Sequence, residues 1–391
     1  MIFQNQNERR ETVKRRIKNT VVALLTGILL ICTICACSIN ETIENIEYIE
    51  LGIPTAIRYP EGIRARCPWD MAVQNGNLYI GSGDYDANAG PVDMWCYHIE
   101  KGIFSNTGTL PEEEIGRFCR IGGKLIAPGI DATEDWLYGN YYTLEGEVWQ
   151  KTRNIPGGLH NFDMVEYKGK IFCGLGVASG EYPIACSSDG GRTFAPVAMY
   201  RDGIPLDTSG SQNVRVYDLF LLRDSLYAAF MYGDTEITYD LYRYDDGKFV
   251  YDNQWYQKIH QIQYTNTIIG DKAELNGKMF FTTGYLYATS DMTNFSRLVF
   301  PEEQIVYDLE IYENSLYVLC GKKQENGQYR VSVWKNAGEE DANFFELFNF
   351  LYDVPPLSIA CHDGIFYIGM GDSTSTHSKN GMILSIKYLS R

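Results

Sequence analysis

Three polar loops carry the side chains with the most chemistry to offer. "GSGDYDANAGP" sets Asp84, Asp86 and Asn88 at alternate positions, "GIDATEDWLYGN" supplies Asp131, Asp135, Trp136 and Asn140, and "GGLHNFD" adds His160 and Asn161. Alternating acid and amide oxygens can wrap a calcium ion. Here the glycine falls at the seventh place instead of the sixth, and Trp95 stands where a bidentate Glu would close the loop. A hydrogen-bonded polar loop is therefore preferred, with Asp84, Asp86 and Asn88 kept as calcium candidates and no other cofactor expected. Acids and amides also bond hydroxyls, and an indole offers a flat apolar face on which a sugar ring stacks. No basic cluster lies in these loops, which disfavours a strongly anionic ligand. His160 has no paired nucleophile beside it, so it reads as a binding or structural residue and not as a base. Nucleophile-elbow, phosphate-loop, HExxH and paired zinc patterns are absent from the sequence. These features favour a binding protein for a neutral polar ligand, a glycan or another protein, over an enzyme.

The loops recur because the chain repeats. "NGNLYIGSG", "GGKLIAPG", "KGKIFCGLG", "RDSLYAAF", "NGKMFFTTG", "ENSLYVLCG" and "HDGIFYIGMG" share one phrase, a polar turn followed by an apolar strand. Their anchors are Leu78, Leu125, Ile171, Leu226, Met279, Leu316 and Ile365, spaced 47, 46, 55, 53, 37 and 49 residues apart. A repeat near 50 residues holding about four short strands describes a propeller blade. The seventh repeat runs out after three strands, and "IEYIELGIP" near the N-terminus can supply the fourth, which closes the ring and removes its exposed edge. The expectation is an all-β, seven-bladed β-propeller of four-stranded antiparallel blades over residues 44–391. In such a meander, the loops between second and third strands share a face with the links between blades. The nine residues named above should then line one rim, built from repeats one to three. Eight residues before the anchor, five repeats carry Asp70, Asp163, Asp218, Asp271 and Asp308. Asp there is expected to cap backbone amides and tie one blade to the next, in preference to forming a cation-binding ring.

One turn carries a further pattern. "SSDGGRTF" sets Ser187, Asp189, Gly191, Thr193 and Phe194 in the order S-x-D-x-G-x-T-F. This resembles the Asp box of sialidases and other BNR-repeat propellers. The turn lies between third and fourth strands, on the face away from the long loops, so it reads as a structural hairpin. The resemblance implies the alternative of a sialidase-like exo-glycoside hydrolase with a diverged site. Sialidases are six-bladed, with several boxes, three Arg, a Tyr–Glu nucleophile pair and an Asp acid/base. "IRYP" would put Arg58 in the triad, with Arg117 and Arg215 as its remaining candidates.

The first 36 residues stand apart. A basic stretch, "ERRETVKRRIKN", precedes the apolar run Thr20–Ala36, and Cys37 follows Ala36. This resembles the signal peptide and lipobox of bacterial lipoproteins. It implies a lipidated Cys37, a polar tether over residues 37–43, and an exported protein held at the cell surface or in the periplasm. An uncleaved membrane helix is the competing reading, although 17 apolar residues reach only the short limit for a span. The whole chain has 34 basic and 50 acidic residues; without the leader, 28 and 48 remain. Such a surface repels nucleic acid and anionic membranes and suits neutral or cationic ligands. A monomer is expected, with an envelope scaffold as a further alternative. The seven cysteines after the leader are widely spaced within apolar strands, so they read as small core residues with at most one or two disulfides.

Overall fold

Two-residue turns set the first hairpins of the repeats. Asn75–Gly76, Asn276–Gly277 and Asp363–Gly364 take positive φ at both positions. That conformation matches the twist of antiparallel strands, and Asn, Asp and Gly reach it at least cost. The computed structural model describes residues 45–61, 64–178, 180–211, 213–233, 238–253, 271–336, 343–374 and 376–388. The leader, Cys37 and the tether lie outside the described residues.

The strands build an all-β propeller with five four-stranded antiparallel blades. Four are meanders: Asp70–Gln74 to Ile103–Leu110, Cys119–Ile121 to Val148–Pro156, Lys272–Leu275 to Ser296–Leu298, and Ile305–Tyr312 to Phe344–Tyr352. The fifth joins Pro356–His362, Ile365–Met370 and Met382–Lys387 to the N-terminal strand Ile49–Gly52. There Ile49 pairs with Ser385, and Glu50 bonds Lys379 at 2.8 Å and the Tyr352 hydroxyl at 3.0 Å. The expected count of seven separate blades is corrected here. The third and fourth repeats do not separate; they lie in one twelve-stranded sheet that also takes in Glu112–Glu114 and Ile130–Ala132. Pairing of Gly176 and Val177 with Arg215 and Val214 welds the two repeats, a contact that strand periodicity cannot show.

The anchors and the aromatic residues after them fill the space between sheets. Leu78, Leu226 and Leu316 are fully buried, as are Tyr79 and Phe172. Six of the seven cysteines among the described residues are buried, and Cys186 is half-buried. The recurrent Asp stitches successive repeats together. The carboxylates of Asp70, Asp163 and Asp308 accept the amides of Phe118, Leu219 and Ile359 at 2.6, 2.7 and 2.7 Å. Leu219 and Ile359 lie in the strands that open the next repeats, and Phe118 immediately precedes the strand Cys119–Ile121.

The Ser187–Phe194 turn bonds itself shut. Asp189 accepts the Thr193 amide at 3.0 Å and hydroxyl at 2.7 Å, together with the Ser187 hydroxyl at 2.8 Å. These bonds hold its carboxyl down at about 2. The Gly191 carbonyl accepts the Tyr141 hydroxyl and the Asn154 amide, which bolts the turn to the neighbouring blade. Gly191 itself has φ +87° and a Cβ there would lie 2.6 Å from the Tyr141 hydroxyl, so only glycine fits. The turn lines a groove with the hairpin residues Gly122 and Gly169.

Candidate functional site at the channel mouth

Four β-bulges aim side chains into the channel. Pairing registers slip across Asn161/Asp163, Val216/Asp218, Val306/Asp308 and Pro356/Ser358. The extra residues are Phe162, Tyr217, Tyr307 and Leu357. A bulge turns its residue away from the regular alternation. At three of them the residue after the bulge is an Asp that reaches the next repeat, at the fourth Ser358 donates to the Pro68 carbonyl, and the bulged side chain faces the channel. All four line one cavity of about 290 Å³, with Trp69, Tyr85, Arg64, Glu114, Gly116, Arg117, Ile130 and Asp308. Five aromatic rings therefore wall a space of small-ligand size.

Arg64 crosses the mouth. Its guanidinium lies 5.0 Å from the Trp69 ring and 5.3 Å from the Tyr85 ring. It is ion-paired with Asp86 at 3.3 Å and with Asp84 and Glu114 at 3.6 Å. A second groove, lined by Tyr59, Asp84, Asp86 and Ser373, meets the first at Arg64. Glu114 is only 6% exposed, and its Oε2 has no hydrogen-bond partner among the described residues. Burial, opposed in part by Arg64, pushes its carboxyl up to about 8.

Below the cavity the ring interior is crowded with acids. Arg117 occupies the recurrent Asp position in the second repeat and donates to Asp218 at 2.8 Å, with Asp163 at 3.6 Å. Lys272 bonds Asp163 and stands 3.4 Å from Asp218. Burial would raise Asp163, but Lys272 and Arg117 outweigh it and hold the carboxyl below its usual range. Arg117 also acts on Asp70, and Arg117 and Lys272 on Asp271, but there burial outweighs them. Burial and mutual repulsion push Asp70 up to about 7 and Asp308 well above the carboxylate range, and burial likewise raises Asp271. Burial pushes Glu310 up to about 8.

The nine loop residues expected at one rim separate into three settings. Asp84 and Asp86 stand at the mouth, held by Arg64, and Asp84 also accepts the Ala87 amide at 3.1 Å. Asn88 is exposed on the same turn. Among the described residues, no cluster of His, Cys, Asp or Glu could hold a metal ion. His160 is buried, stacked on Phe162 with 5.3 Å between centroids and edge-on to Tyr85 at 6.0 Å. Burial and nearby Arg215 lower its imidazole to about 4. Asp131 is half-buried with φ 59°, close enough to feel Arg215, although burial still raises its carboxyl. Asn140 and Asn161 are enclosed in the packing: Asn140 donates to Glu112, and Asn161 donates to the Asn140 carbonyl. Asp135 is exposed and paired with Arg153, and Trp136 beside it is 63% exposed and does not line the cavity. Arg64, from a segment outside the three loops, brings one basic group to this face. Of the proposed arginine triad, Arg117 is taken up by acids in the ring interior, Arg58 is exposed, and Arg215 lies beside His160.

The cavity walls escaped the motif search, but they left a signal. Trp69, Phe162, Tyr217 and Tyr307 each immediately precede a recurrent Asp. The aromatic–Asp pair, nine and eight residues before the anchor, marks the channel.

No family model matches the chain, and no curated protein matches it. The likeness of Ser187–Phe194 to the Asp box therefore rests on those residues alone. Among solved structures, puromycin hydrolase in its S511A form complexed with PGG is 13% identical, with a TM-score of 0.48 over 84% of this chain and 54% of that one. The chain thus spans about half the length of that protein. YCF48 from Cyanidioschyzon merolae is 8% identical, TM-score 0.48, over 87% and 98% of the two chains. An ulvan lyase of polysaccharide lyase family PL25 is 12% identical, TM-score 0.43, over 89% and 96%. Likenesses this distant carry no argument about the site or its chemistry.

Proposed function

We propose that the chain is a non-enzymatic binding propeller whose channel mouth takes a glycan. The supporting observation is the cavity of about 290 Å³ walled by Trp69, Tyr85, Phe162, Tyr217 and Tyr307. Aromatic faces stack on sugar rings, and the acids at the mouth can bond hydroxyls. A glycan-array screen of the full chain, with titration of the best binder, tests this. Trp69→Ala should weaken binding by roughly 10-fold or more, the size of one lost stacking contact. Wild-type-like affinity in Trp69→Ala, or no binder at all, would discard the cavity as the site and leave the envelope-scaffold reading.

The hydrolase alternative requires two working carboxyls. Two line the cavity, but Asp308 already accepts the amides of Leu309 and Ile359 with its two oxygens. Glu114 supplies one acid and no partner, which favours binding over cleavage. The basic–apolar leader ending at Cys37 supports a lipid anchor that displays the propeller at the envelope. Cys37→Ala should abolish labelling by a fatty-acid probe; labelling that persists would remove the anchor from the proposal.

A further inference from the structure

The cavity is short of positive charge. Of the two carboxyls in its wall, Asp308 accepts backbone amides with both oxygens, whereas Glu114 takes a backbone hydrogen bond from Tyr85 and its Oε2 has no partner among the described residues. The Glu114 Oε2 is buried against the cavity with Arg64 3.6 Å away, too far for a hydrogen bond. Arg64 is divided among three carboxylates, Asp84, Asp86 and Glu114. Its guanidinium over Trp69 and Tyr85 shows that these walls already favour a cation. The other lining cation, Arg117, is committed to Asp218 and Asp163.

We propose that the cavity seats a protonated organic amine, with Glu114 as counter-ion and the rings of Trp69, Tyr85, Phe162, Tyr217 and Tyr307 as its walls. This rests on the glycan reading and narrows it: the bound sugar carries a free amine. Aromatic faces attract an ammonium through their quadrupoles, and a desolvated carboxylate adds a charge-assisted hydrogen bond. The cation is organic and not a metal, because among the described residues no group of acids, histidines and cysteines is placed to ligate one. Burial raises the Glu114 carboxyl, so the free protein holds it protonated at pH 6, and a bound ammonium displaces that proton to form the charged pair.

Three probes test this on the full chain at pH 6 and fixed ionic strength: a glucosamine tetramer, its fully N-acetylated counterpart, and tetramethylammonium chloride. Calorimetry should show the free amine binding at least about 10-fold tighter than the acetylated tetramer, the size of a desolvated cation–π and carboxylate contact. Glu114→Gln keeps the shape and should bring the two tetramers within about twofold of each other. Arg64→Gln vacates the seat and should strengthen amine binding, the opposite direction. Equal affinities in wild type, or an unchanged preference in Glu114→Gln, would overturn the amine while leaving the glycan reading intact. Tetramethylammonium binding without either tetramer would support the cation seat and discard the glycan. Failure of all three probes would overturn both.

Discussion

Asp163→Ala is expected to destabilise the protein by about 3–5 kcal/mol, the usual penalty for stranding a buried charge. Asp163 is 1% exposed and compensates two cations, Lys272 and Arg117, in the ring interior. It also accepts the Leu219 amide that joins the third and fourth repeats. Removing the carboxylate leaves Lys272 and Arg117 to share Asp218 and strands an amide donor in one step. Urea denaturation measures the loss, and Asp163→Asn separates its parts. The amide can still accept from Leu219 but cannot balance charge, so its loss should be smaller but still large. A loss below about 1 kcal/mol in Asp163→Ala would mean that the charge network contributes no more than an exposed ion pair.

The second large effect is on pH dependence. Asp70, Glu114 and Glu310 have folded-state carboxyls raised to about 7, 8 and 8, above what they show when unfolded. The folded protein therefore holds protons that the unfolded chain releases. The stability they contribute is complete below the unfolded carboxylate range and is lost as pH rises through 7 to 8. Asp163 acts in the opposite sense. Its folded carboxyl is lowered, so its contribution is present above the unfolded value and is lost in acid. Together they predict a stability maximum in mildly acidic solution, with a fall of several kcal/mol between pH 5 and pH 9. Urea midpoints across that range measure it. Asp70→Asn removes one of the raised groups and should flatten the slope. A stability that is constant or rising from pH 5 to pH 9 would contradict an interior short of positive charge.

What was legible in the sequence follows from what repeats. The anchors, the aromatic that follows six of the seven, and the N-terminal closing strand were all visible as spacing, because each fills the same place in a sheet. The Asp at fixed distance was visible too, and its bond to the next repeat explains why it recurs. The weld between the third and fourth repeats was not, because Gly176–Val177 and Val214–Arg215 pair through backbone groups that no side-chain pattern reports. The same holds for the bulges. Strict alternation would bury Phe162, Tyr217 and Tyr307 in the sheets; a one-residue slip turns them into the channel instead. Loop polarity pointed to Asn140 and Asn161, but within the packing the Asn161 amide donates to the Asn140 backbone carbonyl and the Asn140 amide to Glu112. Arg64 stood outside every motif. Its importance comes from where Asp84, Asp86, Glu114, Trp69 and Tyr85 meet, and that is a property of the closed ring.

A crystal structure with the sugar selected from the array tests the site most directly. Density should lie in the cavity between Trp69, Tyr85, Phe162, Tyr217 and Tyr307, within contact of Glu114. Density against Trp136, or in the groove beside the Ser187–Phe194 turn, with an empty channel mouth would contradict it.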